Sequence, residues 1–209
     1  MSNYLAIATV TECLRQSLND AAAAIVPGAD ATALKPNDSS LATKPSGRIN
    51  CFLYLVTPNS AMRNRDFNNM SADKKTQSQY QATALDLHYL LSFYGPDATF
   101  VPQQLLGITA AHLHAFPQIK SDYIQKLATT AVAGSFLKKT NLQLEIETVK
   151  FTPVTATIEE LSKFWTMFSQ TPYALSMLYK ASAVCIEADM SRQVKTVTQP
   201  AEILVSGHV

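Results

Sequence analysis

Few side chains in this sequence have the types and spacing that chemistry needs. Asp86 and His88 stand two apart in an alternating stretch, so they share one face of a strand and form a candidate base with its orienting carboxylate. No nucleophile can be placed beside them, so a solvated or interface-facing edge is the preferred reading of the pair. His112 and His114 are also two apart, but within a helical pattern that spacing turns them about 200° from each other, a poor arrangement for a shared metal ion. Glu159 and Glu160 open a helix, where the positive end of the macrodipole favours carboxylates without any catalytic role. Trp165 completes an apolar helix face and reads as a core plug rather than a platform for a ligand.

No phosphate-binding loop, dinucleotide glycine fingerprint, Gly-x-Ser-x-Gly elbow or His-Glu-x-x-His pattern occurs, and the six glycines do not cluster. No metal, cofactor or catalytic set is therefore assigned. The three cysteines, Cys13, Cys51 and Cys185, are odd in number and lie inside expected elements. They fit small buried hydrophobes in a reducing compartment better than a disulfide framework.

The elements that must position these residues are legible from periodicity. Thr157 and Glu160 form the reciprocal capping pair that starts a helix, and Ile158, Leu161, Trp165 and Phe168 recur at helical spacing until Pro172. A long alternating strand follows. It places Tyr173, Leu175, Met177, Tyr179, Ala181, Ala183 and Cys185 on one dry face, with the preceding helix covering the sheet.

Earlier in the chain, Tyr4 to Val26 reads as an amphipathic helix stopped by Pro27 and Gly28. Ala29 to Gly47 has no period and reads as a surface loop. Ile49 to Thr57 is apolar on both alternations and reads as a strand covered on both faces. Asn59 to Gln81 is a polar loop of more than twenty residues, suited equally to partner docking and to simple tolerance at a surface.

Ala84 to Tyr94 alternates as a second strand, Pro102 to Phe116 forms a helix, and Ser121 to Lys139 forms a weaker one interrupted by Gly134. Leu142 to Val154 contains a third strand, with Leu144, Ile146 and Val149 leading to Phe151. Past Asp189 the pattern fades into a frayed terminus or an arm able to add a strand to a neighbour's sheet edge. The expected fold is α+β: one mainly antiparallel or mixed sheet of about four strands packed with helices, over residues 1–189, with 190–209 as a C-terminal arm.

Composition narrows the function classes. With 209 residues and 47% hydrophobic content the chain suits one domain with a sizeable core. A net charge of +1, from 17 basic and 16 acidic residues, offers no footprint for nucleic acid or anionic lipid. Neither a signal peptide nor a run of the ~20 apolar residues needed to span a bilayer is present, so assembly in the cytoplasm is expected, with no membrane insertion. A membrane-surface role for the first helix is disfavoured by the few cations on its polar face.

Five segments together resemble a known family. They are Tyr54 to Asn59 with Arg63 and Asn64; Leu85-Asp86-Leu87-His88-Tyr89-Leu90-Leu91; Leu106-Gly107 through Leu113 to Pro117; Glu160 to Trp165; and Pro172-Tyr173 with Ser176, Tyr179, Val184 and Ile186. In order, across roughly residues 5 to 190, they are similar to the Pvc-type tail-terminator, or cap, proteins of bacterial contractile injection systems, the phage-tail-like particles. The chain departs from that pattern at Ala174, where the family commonly has Arg, and in the Ser121 to Leu142 insert.

The resemblance implies a structural protein rather than an enzyme. It implies a homohexameric ring that caps the inner tube, stops its growth and holds the last layer of contractile sheath, so its partners are further copies of itself, the inner tube protein and the sheath protein. Asn59, Arg63, Asn64 and Arg65, with Arg192 and Lys195 in the arm, are the candidate interface residues. The competing expectation is a small hydrolase or transferase using the Asp86/His88 edge.

Overall fold

In the computed structural model, residues 3–62, 67–70, 76–142, 149–168 and 171–195 are described. The first helix, α1 (Ala6–Ile25), buries Val10, Cys13, Leu14, Leu18 and Ala22 along one stripe. It ends where Val26 turns extended while its N–H still reaches Ala22. The expected loop from Ala29 to Gly47 is not wholly irregular, because β1 (Asp30–Thr32) pairs in parallel with β2 (Arg48–Pro58). Three residues are too short to show a period. Arg48 fixes the pairing through two bonds of 2.8 Å to the Asp30 carboxylate, which Lys44 also meets at 2.6 Å.

The expected loop from Asn59 to Gln81 is likewise corrected. After a turn at Ser60–Met62, β3 (Phe67–Met70) pairs antiparallel with the start of β4 (Thr76–Tyr94). Polar residues such as Asn68, Asn69, Gln77 and Gln79 occupy both alternations, so no apolar rhythm betrays the hairpin.

Next come α2 (Val101–Ala115), α3 (Ser121–Thr130), β5 (Lys150–Val154), α4 (Ile158–Thr166) and β6 (Leu175–Lys195). The helix expected to reach Lys139 stops at Thr130, whose hydroxyl bonds back to Lys126, and Gly134 adopts φ 90° before a short turn at Phe136–Lys139. Leu144 and Ile146 lie outside the described residues.

The described strands make one six-stranded mixed sheet in the order β1-β2-β4-β6-β5, with β3 also on β4. Each face carries its own core. Leu87, Tyr89, Leu91 and Phe93 of β4 meet α1, α2 and α3 on one side, while Leu90 meets Trp165 of α4 on the other, beside Phe52, Tyr54, Phe164 and Leu178. The covering of β2 is partial: Ile49 and Cys51 are buried, but Leu55 and Val56 are exposed.

A close approach links the sheet to α2. A Cβ built on Gly47 or Gly95 would sit 2.6 Å from Val101 Cγ1, and Gly47 also has φ 95°. Only glycine fits at either position.

The expected dry face of β6 changes sides partway. Leu85 pairs with Val184 but Leu87 with Ala181, so Ser182 and Ala183 together oppose Asp86. Ala183 takes φ 65° at this bulge. The extra residue shifts the alternation by one, and Val184 and Ile186, not Ala183 and Cys185, rejoin Tyr179 and Ala181 in the larger core.

Candidate functional site

Asp86 is buried because the sheet closes over it from both neighbouring strands. Asn59 leaves β2 at Pro58, anchors its own N–H on Ala84 at 2.8 Å and donates its side-chain amide to Asp86 Oδ1 at 2.7 Å. Lys180 on β6 approaches Oδ2 at 3.3 Å, and the N–H of Ala183 makes a long 3.4 Å bond to Oδ1. The carboxylate thus ties the end of β2 to the bulge of β6 across β4.

His88 lies on the same strand but bonds elsewhere, its Nε2 standing 3.1 Å from Thr57 Oγ1 and its ring 6.1 Å from that of Tyr54. Burial lowers its pKa, outweighing the nearby Asp86 carboxylate. The expected Asp86/His88 pair therefore shares no hydrogen bond. Asp86 is committed to strand geometry, and neither residue lines the α4 groove, the pocket between α1, α2 and α3, or the hollow around Ala33–Ser39.

The other histidines separate as well. His112 is half-buried with Nε2 2.7 Å from Ser17 Oγ, while His114 is exposed. Among the described residues no group of three or more metal-ligating side chains converges. All three cysteines are buried and none is in a disulfide, and burial pushes the thiols of Cys13 and Cys51 up to about 12.

Of the interface candidates, the described ones, Asn59, Arg192 and Lys195, fall towards one end of the sheet. Asn59 faces inward at the exit of β2, as described. Arg63, Asn64 and Arg65 lie outside the described residues. Arg192 and Lys195 belong to the backbone of β6, in register with Gln79 and Thr76 of β4. The strand therefore continues six residues past Asp189. Here β3, β4 and β6 form a three-stranded antiparallel ribbon of mostly polar sequence, joining the hairpin and the chain's C-terminal part into one patch. Beyond Ser182 the outer edge of β6 has no strand partner among the described residues.

A second feature escapes sequence periodicity. The capping box of α4 is present, with Glu160 N–H on Thr157 Oγ1 at 3.2 Å and Thr157 N–H on the Glu160 carboxylate at 2.8 Å. Its expected apolar face is only partly spent, however. Trp165 is 6% exposed and Phe164 packs against Tyr54 with ring centroids 4.9 Å apart, but Ile158 is 87% exposed. Ile158, Leu161, Trp165, Phe168 and Tyr173 line an open groove of about 690 Å³, and the buried Trp165 Nε1 has no hydrogen-bond acceptor. Exposed Met167 stands at the end of the same helix. An amphipathic helix that faces a groove rather than a core marks a surface made to be covered.

Among the described residues no helix is long and apolar enough to cross a membrane. No curated protein matches the sequence. Among solved structures, the fold is similar to the sheath/tube terminator of the extracellular contractile injection system PVC in its extended state, with a TM-score of 0.59 and 11% identity, covering 94% of this chain and 64% of that one. It is also similar to the tube-terminating cap of the anti-feeding prophage, with a TM-score of 0.56 and 14% identity over 90% of this chain and 59% of that one. The chain thus spans roughly three-fifths of the length of these structures. The model of one family, the Pvc16 N-terminal domain, matches residues 9–199, nearly the whole sequence and every strand of the sheet, and the chain belongs to that family.

Proposed function

We propose that the protein is a structural cap of a contractile injection system: copies close into a six-membered ring on the inner tube, end its growth and hold the last sheath layer. The observation that carries this reading is the family match over residues 9–199. The folds of a sheath/tube terminator and of a tube-terminating cap support it. A closed ring needs two different patches on each copy. The polar β3-β4-β6 ribbon with the outer edge of β6, unpaired among the described residues, supplies one, and the α4 groove around Ile158 and Tyr173 supplies the other. Arg192 and Lys195 belong to the first patch through the backbone of β6, and Arg63, Asn64 and Arg65 are proposed as further contacts of the ring.

The test is electron microscopy of particles from a strain lacking this protein, scoring tube and sheath length. Uncapped particles of irregular length are expected, restored to uniform length by the wild-type chain. Arg63→Ala combined with removal of residues 196–209 leaves the described strands intact and is expected to restore length poorly. Uniform, capped particles in the deletion strain overturn the proposal. Normal capping by the double change removes only Arg63 and residues 196–209 from the assigned contacts.

A further inference from the structure

The geometry points to a binding site for a small monocarboxylic acid with an aliphatic or aryl body, in the pocket enclosed by α1, α2, α3 and the start of β5. This site is independent of the capping role. The pocket measures about 280 Å³. That is near the small end of ligand cavities, which run roughly 300–1,000 Å³, and it amounts to the liquid volume of about nine waters.

Its walls are apolar, built from Leu14 on α1, Leu113 on α2, Ile119 in the connection to α3, and Phe151 on β5, with Phe116 exposed at the rim. The Cys13 thiol also lines it and is uncharged, since burial pushes its pKa up to about 12. A body of eight or so carbons is the occupant such walls favour.

The polar groups are hydrogen-bond donors in search of an acceptor. Ser17 Oγ and His112 Nε2 are 2.7 Å apart, and burial lowers the His112 pKa, so the ring is neutral near pH 7. When His112 Nε2–H donates to Ser17 Oγ, the serine hydroxyl is free to donate into the pocket. The Tyr123 hydroxyl is buried against the same space and makes no hydrogen bond. The Ser17 side chain is near enough to lower the phenol's pKa, but the two hydroxyls do not meet hydrogen-bond geometry.

An unpaired buried phenol costs stability, and a bound acceptor would remove that cost. The charge of the acceptor follows from the lining. Lys120 contributes to it while no Asp or Glu does. The acidic groups that act on the lining are both held elsewhere, Asp20 by Gln16 at 2.8 Å and Glu12 by Arg15 at 2.6 Å. Two hydroxyl donors, with the positive charge of exposed Lys120 at the edge of the lining, suit the two oxygens of a carboxylate.

The test is titration calorimetry of the full chain with octanoate, using 1-octanol as a probe of equal length without the charge. Octanoate is expected to bind saturably and to raise the melting temperature, with octanol about tenfold weaker, as loss of a hydrogen bond to a charged acceptor implies. Tyr123→Phe removes only the unpaired hydroxyl, so it is expected to melt at or above the wild-type temperature without ligand and to weaken octanoate by about tenfold. Perturbation of the His112 ring resonances by octanoate in the wild-type chain is expected as well, and needs no variant to fold. The inference is overturned by the lack of saturable octanoate binding up to about 5 mM, or by equal affinity for octanol. It is also overturned if Tyr123→Phe melts several degrees lower with octanoate affinity unchanged, because the phenol is then satisfied within the protein.

Discussion

Replacing Asp86 with alanine tests whether one carboxylate holds the bulge of β6 in place. The side chain is buried, and its shortest bond is the 2.7 Å contact from Asn59. A hydrogen bond to a charged group contributes about 1.5–3 kcal/mol. The Lys180 contact is worth less, about 0–1 kcal/mol, because that ammonium is 34% exposed and rehydrates when its partner is removed. The bond from Ala183 N–H is long at 3.4 Å, and its loss adds a fraction of a kcal/mol.

Asp86→Ala is therefore expected to destabilise the chain by about 2–4 kcal/mol. In a domain of this size each kcal/mol lowers the melting temperature by about 2–4 °C, so the midpoint falls by roughly 4–16 °C. Urea unfolding followed by circular dichroism measures the free energy directly. Asp86→Asn keeps an acceptor for Asn59 and is expected to lose about half as much. Because Ala183 is held left-handed at a cost of about 1–2 kcal/mol, Ala183→Gly should stabilise the chain by up to about 1 kcal/mol and soften the effect of Asp86→Ala in a double-mutant cycle. An Asp86→Ala midpoint within experimental error of wild type refutes the account, since the bulge would then persist without its tether.

Gly47→Ala is expected to cost about 2–4 kcal/mol in thermal unfolding, because its Cβ collides with Val101 at φ 95°. Gly134→Ala, at φ 90° with open space around it, should cost only about 1 kcal/mol. Thr157→Ala removes the cap of α4 and should lower stability by about 1 kcal/mol, with the loss of α4 protection visible in hydrogen exchange. His88 and His112 both have pKa values lowered by burial from the ordinary 6.5. The unfolded chain therefore binds more protons just below pH 6.5, and stability falls as pH drops through that value towards the folded pKa values. Urea midpoints at pH 7 and pH 5 should differ in that direction, and by less in His88→Gln.

Sequence periodicity exposed what apolar spacing controls. The stripe Val10, Leu14 and Leu18, the Thr157/Glu160 cap and the alternation of β4 each declare themselves within a few residues of chain. The β3-β4 hairpin does not, because Asn and Gln on both alternations carry no rhythm. The bulge was hidden for a different reason: a left-handed residue is usually announced by glycine, and here it is Ala183. Nor does local sequence show that Asn59 restrains Asp86 twenty-seven positions away, or that Ser17, His112 and Tyr123 from three helices share one pocket. Ile158 misled because helical spacing reports which residues share a face and not whether anything lies against it.

The pairing of β4 with β6 runs from Thr76 opposite Lys195 to Phe93 opposite Leu175. At about 3.3 Å per residue that is a beam of roughly 60 Å, longer than the domain's other paired elements. Tension drawn along β6 from its far tip meets the ladder lengthwise, so many rungs bear the force at once and none can be peeled first. The same strands pulled apart sideways would open one rung at a time. A molecule joined to moving neighbours through the tip of this beam passes the jolt into its interior as shear, and the Asp86 tether sits at the second of the two places, counted from that tip, where the beam is notched.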